Sequence, residues 1–157
     1  MILGFKQQFP WKEPTNFREK ILYGVGRAIW LTPRQIKKFA KIHTMREDPH
    51  NRWKPGMSIQ MVYRGPKYSI LDHFNKGIPE LEKCVSVQQI KIQWITFTVA
   101  EKSFQAIDIT IDGGKSLRSD QIMILAANDG FNSVEDFMRW FNKDWEGKII
   151  HWTDFRY

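Results

Sequence analysis

The sequence predicts an α+β fold in which a mostly antiparallel, barrel-like sheet carries short helices at its ends. Three observations lead there. Strand patterns cluster in the middle of the chain, over residues 57–63, 85–99 and 105–111. Helical patterns fall on either side of that block instead of alternating with it, which disfavours a parallel doubly wound sheet. The linker at 100–103 is short and polar, as a hairpin between neighbouring antiparallel strands requires. A length of 157 residues favours one domain spanning 1–157, and seven Trp in a chain with 14% aromatics supply a core large enough to argue against global disorder.

Residues 2–5 read as a first strand. Phe9-Pro10-Trp11-Lys12-Glu13-Pro14 is too proline-rich for regular structure and reads as a loop. Thr15 is placed to cap a helix over 16–22, with Phe17, Ile21 and Leu22 at helical spacing and Gly24 and Gly26 ending it. Thr32-Pro33 opens a second short helix, Thr as the cap and Pro at the first helical position, ending near residue 40. Residues 41–46 suit an extended segment, and 47–56 form a long polar loop closed by Pro55-Gly56. Strands follow at 57–63, along 85–99 as one bent strand or two, and at 105–111, where Ile107, Ile109 and Ile111 alternate with Ala106, Asp108 and Thr110. Asp112-Gly113-Gly114-Lys115 turns the chain; it lacks the flanking pattern of a Walker motif and is no phosphate loop. Ser119 and Asp120 start a helix to about residue 127, and Asp129-Gly130-Phe131 interrupts it. Ser133 starts another, in which Val134, Phe137, Met138 and Phe141 make a buried stripe. A last strand covers 148–152. The aromatic segment 145–157, with Trp152 and Phe155 in the core, closes the sheet against the first strand; an exposed self-association patch is the alternative.

Charge is unevenly spread. Residues 1–56 carry 12 Lys and Arg against 4 Asp and Glu, whereas 57–157 carry 12 against 13, so all of the net charge of +7 comes from the first third. A clustered positive field favours polyanions such as nucleic acid; a solvated basic face is the alternative. The one cysteine, Cys84, excludes an intrachain disulfide, fits a reducing, cytoplasmic setting, and sits in a strand-like run as a packed small hydrophobe. No run of 18 apolar residues and no signal-peptide core are present, so neither a membrane partner nor export is expected.

The chemistry concentrates in Lys41-Ile42-His43-Thr44-Met45-Arg46-Glu47-Asp48. Alternation along an extended chain sends Lys41, His43 and Met45 one way and Ile42, Thr44 and Arg46 the other, and a bend lets Lys41 and Thr44 meet. An ammonium, a hydroxyl and a guanidinium within six residues suit an anion or a polar base, the Arg as a planar fork and the Lys as a point charge. An exposed basic strand paired with Glu47 and Asp48 is the plainer reading. Trp53, between Arg52 and Lys54 in the polar loop, is the best aromatic for stacking on a base, or else a loop anchor. Tyr63 and Trp30 read as core. His43, His50, His73 and His151 lack companion ligands at metal spacing, so no metal and no cofactor is expected.

The Lys41, Thr44 and Arg46 spacing resembles the signature of the ASCH family, Gly-x-Lys-x-x-Thr-x-Arg after the first helices, with Phe39 where the family often has glycine. Pro55-Gly56, the Asp129-Gly130-Phe131 element ahead of a helix with Phe137 and Trp140, and the opening Gly4-Phe5-Lys6-Gln7-Gln8-Phe9 resemble the same group, which includes small bacterial and phage proteins. The resemblance implies a PUA-like β-barrel with helices packed around it and a cleft facing that core. It implies binding of RNA or a nucleoside or nucleotide ligand, with Arg46, Glu47, Arg52, Trp53 and Lys54 at the ligand. It also implies an alternative: an amidohydrolase that deacylates 4-acetylcytidine. Thr44 would then be the nucleophile, Lys41 its activating base and Asp129 the acid, with Glu47 as the local substitute for that acid. A ribonuclease using Arg46, His43 and His50 is a third possibility.

Overall fold

The chain begins with β1 (Ile2–Lys6), α1 (Phe17–Gly24) and β2 (His43–Arg46). The computed structural model describes residues 1–27, 40–64 and 72–157. The helix expected from Thr32-Pro33, the core position of Trp30 and the Phe39 substitution lie outside the described residues. After β2 come β3 (Gln60–Arg64), the two-residue β4 (Asp72–His73), a 3-10 turn at Pro79–Leu81, β5 (Ser86–Val99) and β6 (Lys102–Ile111). The chain then forms α2 (Ser119–Asn128), α3 (Val134–Trp140) and β7 (Trp145–His151).

The fold is α+β, with two sheets traced by the described residues. The larger is four-stranded and antiparallel, in the order β2-β7-β5-β6. The smaller has the order β1-β3-β4, with β1 and β3 parallel, a pairing that local sequence patterns do not reveal. Aromatic rings pack around β1: Phe5 lies 6.4 Å from Trp152 just beyond β7, edge to face, and 6.3 Å from Phe17 of α1. Such pairs add about 0.5–1.5 kcal/mol each beyond simple burial. Among the described residues, no helix is long and apolar enough to cross a membrane.

Several sequence expectations need correction. Thr15 does not cap α1; its hydroxyl donates to Lys6 O at 2.6 Å, tying the loop back to β1, and Asn16 takes the N-cap position at φ 51°. Of the two readings left open for 85–99, one strand or two, the structure has the first, a single strand of 14 residues, Ser86–Val99. Phe155 is 40% exposed, its ring edge-on to Tyr157 at 4.9 Å, because the chain leaves the sheet after His151. By contrast, Ser133 caps α3, accepting from Asp136 N at 3.1 Å, and Phe137 and Phe141 are buried below it. Cys84 is buried, with its thiol pushed up to about 11 by burial.

The β5–β6 hairpin turns on Ala100 and Glu101, both at positive φ, 48° and 63°. Two-residue hairpin turns of this kind favour Asn-Gly, since L side chains are strained there. Replacing the pair by Asn-Gly is expected to raise stability by about 1 kcal/mol, read from urea unfolding. An unchanged midpoint would contradict the turn geometry.

Candidate functional site

Lys41 precedes β2, and its position is fixed by backbone bonds on both flanks. Its N–H reaches Lys20 O on α1, and the Ile42 N–H reaches Asn128 O at the end of α2, 2.9 Å away. That places the Lys41 side chain against Asp129, the residue that ends α2. Nζ of Lys41 donates to Asp129 Oδ1 at 2.6 Å and to Asp129 O at 2.5 Å. The ammonium is 1% exposed and the carboxylate 7%, so this is a buried ion pair. Its floor is aromatic: Nζ lies 4.6 Å from the Phe17 ring centroid and 5.9 Å from that of Phe5.

Gly130 is required beside it. At φ 88° the backbone favours glycine, and an added Cβ would meet Lys41 Cδ and the Phe17 ring at 3.1 Å. A second buried lysine, Lys20, braces the same turn from below, donating to Gly130 O at 2.6 Å and to Asn132 Oδ1 at 2.9 Å. Arg46 approaches from the strand side. Its Nη2 donates to Gly4 O at 2.8 Å and its guanidinium sits 5.4 Å from the Phe5 centroid. Lys41 and Arg46 thus both reach the Phe5 ring.

Thr44 is buried on β2, opposite Ile150 of β7, and strand alternation puts it on the Arg46 face. No hydrogen bond joins it to Lys41 among the described residues; the ammonium is committed to Asp129 instead. His43 faces the other way. Its Nε2 is 2.7 Å from Tyr157 Oη, which also accepts from Asn128 Nδ2 at 3.0 Å. Its Nδ1 is 3.7 Å from Asp129 Oδ1, beyond hydrogen-bond reach. The Gln88 side chain holds the backbone of Tyr157 at two points, accepting from its N–H at 2.9 Å and donating to its O at 3.1 Å.

Burial sets the electrostatics. It pushes the Lys41 ammonium down to about 8; Asp129 opposes this and Arg46 reinforces it. The same burial raises the Asp129 carboxyl, against the pull of Lys41, Arg46 and the Met45 N–H. His43 falls well below its usual value through burial first and then the Lys41 and His151 charges, so its ring is neutral. A lysine poised near neutrality, bonded to a carboxylate, can give or take a proton; the pair can also present charge to a polar ligand.

The remaining sequence candidates lie elsewhere. Arg52 and Lys54 are exposed on the loop, whereas Trp53 between them is 5% exposed and packed into the core as an anchor. Asp48 fixes that loop, accepting from the N–H groups of Arg52 and Trp53 at 2.8 and 2.9 Å and pairing with Lys148 Nζ at 3.1 Å. Partial burial draws the Asp48 carboxyl upward, but these bonds together hold it below the ordinary range. Glu47 is exposed and lines a surface cleft of about 500 Å³ with Asp48, Asn51, Glu146 and Lys148. His50 and His73 are exposed. Among the described residues no group of three His, Cys, Asp or Glu is placed to hold a metal ion.

Lys20, Gln88, Asn128 and Tyr157 were not singled out from sequence, and His151 was weighed only as a metal ligand. Only Lys20 left a signal, standing three residues after Phe17 and one before Ile21 on an otherwise apolar helix face. Set against family models, curated proteins and solved structures, the chain matches none of them.

Proposed function

We propose that the chain is an ASCH-type domain, its two sheets forming the halves of a PUA-like barrel, and that it binds RNA or a nucleotide derivative near Lys41, Thr44 and Arg46. The observation that carries this reading is the buried Lys41–Asp129 pair beside Arg46. Burying two charges is a poor way to stabilise a core, since apolar residues of similar volume do as well or better. A site retained against that cost is a candidate for recognition or chemistry. The basic first third supports a phosphate-bearing ligand, with Arg52 and Lys54 as its exposed cations. Binding of a short single-stranded RNA is expected to weaken as salt rises. Neutralising Arg52 and Lys54 together is expected to flatten the log–log salt slope by about 0.7 per lost phosphate contact. Binding that is absent, or indifferent to salt, would count against this reading.

A second reading, deacylation of 4-acetylcytidine, is favoured by one specific observation: the Lys41 pKa near 8 with a carboxylate in direct contact. In that chemistry Thr44 Oγ1 attacks the acyl carbonyl, Lys41 takes the hydroxyl proton and passes it to the departing cytidine amine, and water then cleaves the acyl-Thr44 ester, releasing the carboxylic acid and restoring the hydroxyl. Lys41 would first have to release Asp129 and turn toward Thr44. Thr44→Val keeps shape and removes only the hydroxyl, so it should abolish turnover of 4-acetylcytidine and leave the melting temperature nearly unchanged. No turnover by the intact protein would eliminate this reading and leave the binding reading standing.

A further inference from the structure

The β5–β6 hairpin projects beyond the sheet, and its polarity inverts where it leaves the body. Within the body, β5 turns Ile90 and Ile92 to the core and Gln89 and Lys91 to solvent. Past Trp94 the register is unbroken, yet the apolar residues move to the other face. Ile95, Phe97 and Val99 pair across to Ala106, Phe104 and Lys102, while Thr96 and Thr98 face Gln105 and Ser103. Ile95, Phe97 and Phe104 are each exposed by about 45% and Val99 by 57%. The Phe97 and Phe104 rings stack on each other at 5.7 Å. This stripe lies on the face that is solvent-facing in the body, so the protein's own core cannot cover it by continuing along the arm.

The same arm has an open edge. β6 is the outermost strand of its sheet among the described residues. In a two-residue hairpin closed by the Val99–Lys102 pair, Lys102, Phe104, Ala106 and Asp108 direct their backbone groups to β5, and Ser103, Gln105 and Ile107 direct theirs outward. No backbone partner from the described residues meets those three. The edge is shut at its base, where the Leu117 N–H bonds Ile109 O at 2.8 Å and Ser116 bridges Thr110. The free run is therefore 102–108, and its midpoint is Gln105.

We infer that this edge is the docking surface for a second copy of the chain, β6 pairing antiparallel with β6 about a two-fold axis at Gln105. Three features of the strand fit that register. Gln105 opposes its own copy as a hydrogen-bonded pair, which its outward N–H and C=O require. Lys102 opposes Asp108 of the other copy, and the symmetry makes this pair twice. Phe104 opposes Ala106, which lets the Phe97–Phe104 stack run on into the partner's stripe instead of ending in water. Shifting the centre by one residue loses the Lys102–Asp108 match. Charge favours the same occupant: residues 94–107 carry only Glu101 and Lys102, so two arms of this basic chain meet without repulsion. A polyanion would find nothing to grip there. An exposed, apolar, unpaired edge is otherwise an aggregation hazard, and pairing two copies removes both edges at once.

Sedimentation velocity over a concentration series tests this. The intact chain is expected to dimerise. Lys102→Glu sets like charges opposite at two symmetric positions and is expected to weaken the dimer about tenfold or more. The swap Lys102→Asp with Asp108→Lys is expected to restore it to near the intact value. Gln105→Pro removes an outward N–H and no β5 bond; it is expected to be monomeric with an unchanged circular dichroism spectrum. If Gln105→Pro fails to fold, the charge swap decides alone. A chain that stays monomeric throughout, or a folded swap variant that dimerises no better than Lys102→Glu, overturns the inference. The pocket reading is unaffected by either result.

Discussion

Replacing Lys41 by Met is expected to cost about 3–5 kcal/mol of folding stability at neutral pH, because it strands one partner of a buried ion pair. Met preserves the length and most of the volume of the lysine stem, so the loss isolates the charge. Without the ammonium, the Asp129 carboxyl, already raised by burial, moves higher still. A carboxyl with a raised folded pKa contributes stability when protonated and loses it as pH climbs. The deficit should therefore be large at pH 7 and shrink as the solution is acidified toward the ordinary carboxylate range. Urea unfolding at the two conditions reads this directly. Lys41→Met with Asp129→Leu should recover most of the loss, since it removes both charges. A single variant as stable as the intact protein at pH 7 would show that the pair is not formed.

The intact protein adds an alkaline signature. Lys41 sits at about 8 when folded and 10.5 as a free side chain. A depressed lysine contributes its full stability above the unfolded value and loses it as pH falls through the folded one. Its contribution thus grows from pH 8 upward. Cys84, raised from 9.0 to about 11, works in the opposite sense above pH 9. The Lys41 effect is accordingly read between pH 8 and 9 and should vanish in Lys41→Met.

Acidification from pH 6.5 to 4 should remove on the order of 2–3 kcal/mol through His151, and His43 adds to the loss in the same direction. Their rings lie 5.3 Å apart in the β2–β7 pair, both buried. Burial is the main cause of both depressions; the Arg156 charge adds to that of His151, bringing it to about 4 despite Asp112. Groups depressed in the folded state stabilise it above pH 6.5, and that stability drains away as pH falls through their folded values. Neither ring nitrogen of His151 has a hydrogen-bond partner among the described residues. His151→Leu should therefore be nearly neutral at pH 7, since no bond is lost, and should flatten the acid slope. Parallel acid slopes in the two proteins would refute this account.

The elements that read correctly from sequence are those whose signal is local. The stripe Phe137 and Phe141, the cap at Ser133 and the alternation of Ile109 and Ile111 each require only neighbours within a few residues, and each is present. Lys41 and Asp129 were both singled out, but their direct bond spans 88 residues and no spacing rule reports it. The expected partner of Lys41 was Thr44, three residues away; the chain instead bends Lys41 toward α2 through the Ile42 N–H bond to Asn128. Trp53 illustrates a second difficulty. Flanking charges left it open between a stacking ring and a loop anchor, and the Asp48 bonds that fold the loop accompany the second, with the ring buried. The inverted face of the hairpin was visible in the alternation itself, but without the register no letter string says which face meets the core.

The position of β7 has a bearing on biosynthesis. It follows β2 and β5 in the chain yet is inserted between them, so residues 43–46 wait for 148–151 to emerge before they find this strand partner. The large sheet cannot close until residues 145–151 have left the ribosome, and the ion pair waits in turn for Asp129. Folding is consequently dominated by long-range closure, which is slow and leaves a growing chain with open strands. A nascent polypeptide of this topology is a natural client for ribosome-associated chaperones until β7 has emerged.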